Sequence, residues 1–184
     1  MPAPAVCDRF EQLVDFGFMW AAGQTTVATT YSTGQYFQGE IMTTPISCYE
    51  LPLWCAQQTG VPSNVIWGVI DDLFRASAQR NAPNQNSILG ALKRYFFNTL
   101  APLRLFGSYP QKGDLVLFSG GTTNYLAHVA MATGNGYELV SFGHDGPLGA
   151  PAAGVALQVE RMTINDVLTR NPMLTRVEFG TPPW

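Results

Sequence analysis

Two side chains of this sequence are of types that can carry covalent chemistry together: Cys48 and His128, separated by 80 residues. A thiol attacks as its thiolate, and a neighbouring imidazole can take the thiol proton and later hand it to a leaving group. The residues around Cys48 favour the anion. Ser47 and Glu50 have capping-box spacing, and Ile46 and Leu51 fall at the hydrophobic-staple positions. Both signals predict a helix start that puts Cys48 in the first turn, where unpaired N–H groups and the helix dipole stabilise negative charge. Pro52 disturbs that turn, because its missing N–H would have reached back to the Cys48 carbonyl, so local distortion is expected. The competing reading of Cys48 is a buried core cysteine. Cys7, near the chain start, and Cys55, deeper in the same helix, are read as structural.

The elements that must position this pair fall into two halves. Asp8 to Trp20 carries Phe10, Leu13, Val14, Phe16 and Phe18 in a helical pattern that decays toward Gly17. Gln24 to Gly39 reads as a loop. Ser47 to Thr59, Val65 to Arg80 and Ser87 to Phe97 read as helices, the first ending before Gly60 and the last two parted by a polar break at 81–86. Beyond residue 112 the pattern changes to short apolar runs: Gly113 to Phe118, Ala127 to Thr133, Tyr137 to Phe142, Val155 to Met162 and Leu174 to Phe179. These are strand signals. Gly134-Asn135-Gly136 predicts a hairpin turn, and Thr163-Ile164-Asn165-Asp166 opens a short helix that ends before Pro172. Helices followed by an antiparallel sheet make an α+β fold, read as one domain over 1–184. His128 then opens a strand and is flanked by small residues that leave its ring accessible.

Composition narrows the class. The chain has 184 residues, 46% apolar and 12% charged, with a net charge of −3. That balance excludes a disordered tail and gives no basic footprint for nucleic acid. No run of the sequence has the length and apolarity of a membrane span. No basic start followed by an apolar stretch marks a signal peptide, so export is expected to use a dedicated machine or a fusion partner. Three cysteines without regular spacing do not make a disulfide framework, and Cys48 and Cys55 lie about 10 Å apart along a helix. With two histidines and no CxxC or HExxH pattern, no metal site and no cofactor is implied.

Three segments resemble the NlpC-type cell-wall peptidases, a branch of the papain-like cysteine hydrolases. Tyr36-Phe37-Gln38-Gly39 is similar to the Tyr-x-x-Gly stretch ahead of that family's nucleophile. Gly113-Asp114-Leu115-Val116-Leu117-Phe118 resembles its Gly-Asp-Leu-Val-Phe-Phe strand. His128-Val129-Ala130-Met131-Ala132-Thr133-Gly134-Asn135-Gly136 resembles its His-Val-Gly-Ile-Tyr-x-Gly-Asn-Gly hairpin. The resemblance spans about Gly34 to His144 and keeps the order cysteine before histidine. It implies a papain-like fold, Cys48 as nucleophile, His128 as base and then acid, and Tyr36 near the oxyanion side. Departures are plain. Ser47-Cys48-Tyr49-Glu50 stands where the family has Asp-Cys-Ser-Gly, and Val140 stands where it has a polar third residue. If the hairpin turns at Asn135-Gly136, His128 pairs across from Gly143 and Ser141 lies one step away on the same face. His144 is preferred to Ser141 as the group behind the imidazole, with Asp145 beside it.

The activity so implied is hydrolysis of an amide bond by a thiol peptidase or amidase. Its usual substrate in the family is a peptidoglycan stem peptide, and an effector or lysis enzyme without a signal peptide fits that role. The alternatives are a toxin of the same fold acting on a host protein as protease, deamidase or acyl transferase, and a catalytically dead binding module. An immunity or delivery protein is the further partner expected of an effector.

Overall fold

The computed structural model describes residues 2–20, 46, 48, 50–62, 64–66, 101–102, 109–120, 125–143, 155–182 and 184. Helix α1 spans Ala3–Glu11, with Pro2 as its N-cap and Pro4 in its first turn, where a missing N–H costs nothing. The helix expected over Asp8 to Trp20 is therefore shorter and begins earlier. Its second half is the strand β1, Gly17–Met19. Asp15, at φ 70°, makes the break, and Asp tolerates this left-handed conformation better than most residues. Helix α2 spans Glu50–Gln58. It starts later than expected, and Cys48 occupies a turn ahead of it. Pro52 is then a first-turn residue whose N–H would have had no partner inside the helix, so the expected distortion has no cause. Residues 64–66 are helical. The rest of the helix expected over Val65 to Arg80, and that over Ser87 to Phe97, lie outside the described residues.

The remaining elements are β2 (Ala101–Pro102), β3 (Leu115–Gly120), β4 (Tyr125–Ala132), β5 (Glu138–Phe142), β6 (Ala156–Thr163), α3 (Ile164–Arg170) and β7 (Leu174–Gly180). Among the described residues the strands form one sheet in the order β1-β6-β5-β4-β3-β7-β2, antiparallel throughout. The class is α+β, as expected. Beyond β1, Ile46 bridges Trp20. The β4–β5 turn uses Gly134 at φ 87° and Gly136 at φ 61°, the backbone that made Gly-Asn-Gly a turn signal. Thr163 and Asp166 close a reciprocal capping box on α3.

Both faces of the sheet are apolar, which explains the unbroken Leu115-Val116-Leu117-Phe118 run. Leu115, Leu117, Val129, Met131, Val140 and Phe142 point to a first core shared with α1 and α2. Val116, Phe118, Ala130, Ala132 and Leu139 point to a second core closed by Ile164 and Val167 of α3. Each large side chain so buried contributes about 1.5–3 kcal/mol. Arg9 of α1 lies over the Trp54 ring of α2, 5.1 Å from its centroid. The Gly113-Asp114 pair ahead of β3 has a structural task. Gly113 holds φ 89° with its Cα against the Ala3 carbonyl, where a Cβ would collide. Asp114 accepts hydrogen bonds from the Gln111 N–H at 2.8 Å and the Thr181 hydroxyl at 2.8 Å, which ties the entry of β3 to the end of β7.

Candidate functional site

His128 sits on β4 opposite Phe118 of β3, their ring centroids 5.7 Å apart. On the other side, Ala130 pairs with Ser141 of β5, so continuing the register by two residues puts Gly143 opposite His128. This is the pairing expected from the hairpin. It brings Ser141 into diagonal reach, and His128 Nε2 and Ser141 Oγ are 2.8 Å apart. Both residues are buried, at 2% and 0% exposure. The contact is a hydrogen bond in either tautomer. The hydroxyl donates when the ring proton is on Nδ1, and the ring donates when it is on Nε2. Ser141, the less favoured of the two sequence candidates, is thus bonded to the imidazole. His144, Asp145 and Tyr36 lie outside the described residues.

Cys48 is 7% exposed and belongs to the first core, two residues after Ile46 and two before α2. Through the Ile46–Trp20 bridge its segment is fixed at the edge of β1. The Trp20 ring lies 5.6 Å from that of Phe142 and fills the space where Gly143 would carry a Cβ. Cys48 and His128 are therefore gathered toward the same end of the sheet. They do not share a face. Val129 and Met131 join the core that contains Cys48, whereas Ala130, Ala132 and the Phe118 partner of His128 join the other. Alternation along β4 sets the imidazole on the second-core side. This alternation gives no direct meeting of the two side chains through the first core. The larger apolar side chains of β4 have taken the helix-facing side.

The other two thiols are held neutral. Burial pushes the Cys7 thiol up to about 12, with the Glu11 carboxylate adding to the effect, and its S–H donates to the Ala132 carbonyl at 3.2 Å. Burial pushes Cys55 up further still. None of the three cysteines is in a disulfide. The structural reading of Cys7 and Cys55 fits these surroundings.

Two features of the site escaped the sequence reading. Glu50, which has capping-box spacing in the sequence, is 2% exposed, so its carboxylate is an internal group. Its partner Ser47 lies outside the described residues. Trp20, which sequence put in a fading helix, is the side chain that links the Cys48 segment to the end of β5. An aromatic followed by a long stretch of small polar residues, and a glycine directly after the Val140-Ser141-Phe142 run, were the available signals.

Among the described residues no three His, Cys, Asp or Glu side chains converge on a point that could hold a metal ion. No described helix is long and apolar enough to cross a membrane. Comparisons of this chain with protein-family models, with curated proteins and with solved structures find no match.

Proposed function

We propose that the chain is a papain-like cysteine hydrolase that cleaves an amide bond, with Cys48 as nucleophile, His128 as general base and Ser141 as the positioning residue behind the imidazole. The observation that supports this reading best is the buried 2.8 Å contact between His128 Nε2 and Ser141 Oγ, on the strand where a third catalytic group would be needed. A base must be oriented, and a hydrogen bond to one ring nitrogen leaves proton transfer to the other, Nδ1. In the proposed step the Cys48 proton passes to Nδ1 and the sulfur adds to the carbonyl carbon. The imidazolium then protonates the departing amine, and water hydrolyses the thioester. The strand alternation adds a requirement. Sulfur and imidazole must meet around the end of the sheet beside Gly143, not through the first core.

The substrate class follows from the resemblance: peptidoglycan stem peptides, with a host protein as the alternative target. The test is incubation with purified sacculi and mass spectrometry of released muropeptides, against Cys48→Ala and His128→Ala controls. Release by the parent protein alone supports the reading. No release, together with a cut or a +1 mass change in a cytosolic protein, moves the substrate to the host side.

A second reading has its own support. The placement of His128 and Ser141 on the second-core face is what a buried polar pair in a non-catalytic binding module would show. Iodoacetamide labelling of Cys48 across pH separates the two. An ordinary thiol profile with a pKa near 8.5 and no product from either substrate class favours the binding module.

A further inference from the structure

At the hairpin end of the sheet lies a cleft of about 670 Å³, lined by Tyr109, Tyr137, Ile164 and Leu168, with Asn135, Glu138 and Asn165 among its polar groups. It is remote from His128: the register places cleft-lining Glu138 opposite Thr133, five residues along from His128, about 16 Å at strand rise. The wall is aromatic. Tyr109 and Tyr137 pack with ring centroids 4.8 Å apart and planes inclined by 48°. Tyr109 lies over the turn at Gly136, whose φ of 61° is what favours glycine there. Held in this way, Tyr109 is still 55% exposed. An ordered, half-open aromatic ring beside an apolar floor is a stacking platform.

The polar groups select the occupant. The three hydrogen bonds of the Glu138 carboxylate all fall on Oε1, from the Thr133 hydroxyl at 2.8 Å, the Arg161 guanidinium at 2.9 Å and the Asn135 amide at 3.4 Å. Oε2 is left as an acceptor. Arg161 bridges Glu11 at 2.8 Å as well as Glu138 at 2.9 Å, so it offsets the Glu138 charge only in part, and among the described residues no lysine or arginine lines the cleft. A neutral molecule with one apolar ring face and a rim of hydroxyls would stack on tyrosine and use the amides and Oε2. We infer that this cleft is a saccharide-binding subsite, formed by the Tyr109–Tyr137 pair with Asn165 and Glu138. It stands whether or not Cys48 is catalytic.

The test uses the full chain carrying Cys48→Ala, so that no turnover enters the measurement. Titration with the β-linked tetramer of N-acetylglucosamine is followed by calorimetry and by amide NMR. Saturable binding is expected, with shifts concentrated at residues 135–138 and 163–168. Tyr109→Ala should weaken it about tenfold, and Asn165→Ala, at an exposed position, should weaken it without changing the melting temperature. Absence of saturable binding overturns the inference. So does binding that survives Tyr109→Ala, or saturation of the same residues by tetralysine and not by the saccharide.

Discussion

The hydrogen bond between His128 and Ser141 makes a quantitative forecast. Ser141→Ala removes one partner of a 2.8 Å contact between residues that are 0% and 2% exposed. A buried ring nitrogen left short of a partner costs about 1–3 kcal/mol. In a domain of this size each kcal/mol lowers the melting temperature by about 2–4 °C, so the drop should fall between about 2 and 12 °C. His128→Phe places a ring of similar shape beside Phe118 and leaves the Ser141 hydroxyl without the imidazole, at a comparable cost. The double variant removes both partners. It should be no less stable than either single variant, because an apolar pair of the same shape needs no hydrogen bond, and the coupling should match or exceed the single losses, about 1–3 kcal/mol. Urea unfolding of the four proteins at pH 7, followed by circular dichroism, measures the cycle. Additive losses would refute the reasoning, and they would also remove Ser141 as the group that orients His128. Retained stability with lost hydrolysis in Ser141→Ala would instead assign it to positioning alone.

Three further outcomes follow from the described contacts. Native iodoacetamide labelling at pH 8, read by peptide mass spectrometry, should modify Cys48 before Cys7 or Cys55. The raised pKa of Cys7 adds stability that is full below the unfolded thiol value, about 8.5, and is lost as pH rises toward about 12, so alkaline unfolding should expose that thiol. Gly113→Ala should destabilise the fold by about 2 kcal/mol or more, measured by thermal melting, because φ 89° and the Ala3 carbonyl both oppose a Cβ. Burial raises the Glu138 pKa, but hydrogen bonds from Thr133, Arg161 and Asn135 outweigh it and hold the carboxyl below the usual range. That stability is present above the unfolded value of about 4.3 and lost as pH falls through the folded one, so Arg161→Met should shift acid unfolding to higher pH.

The sheet half of the fold was legible because its signals are local. Alternation, Gly-Asn-Gly and the Thr163-Asp166 box each act within a few residues, and β3 to β7 and α3 lie close to where these signals put them. The N-terminal half is less legible. A helical pattern over Asp8 to Trp20 could not reveal that Asp15 turns left-handed, since only the pairing of β1 with β6, far along the chain, makes that turn worthwhile. The site divides in the same way. The bond partner of His128 was within reach of register arithmetic. The side of the sheet on which the imidazole lies was not, because that depends on which core claims Val129 and Met131, a question of packing rather than of spacing.

The strand order has a kinetic consequence. β3 to β6 form a meander of sequence neighbours, whereas Phe18 pairs with Leu157, 139 residues away. Closing so large a loop is slow and gains nothing until its contacts form. The meander, with His128 and Ser141 already adjacent, should assemble first, and the segment that brings in Trp20 and Cys48 should dock onto it last. A half-folded chain would then hold its histidine in place while its thiol is still elsewhere, so any thiol chemistry would switch on only once folding is complete.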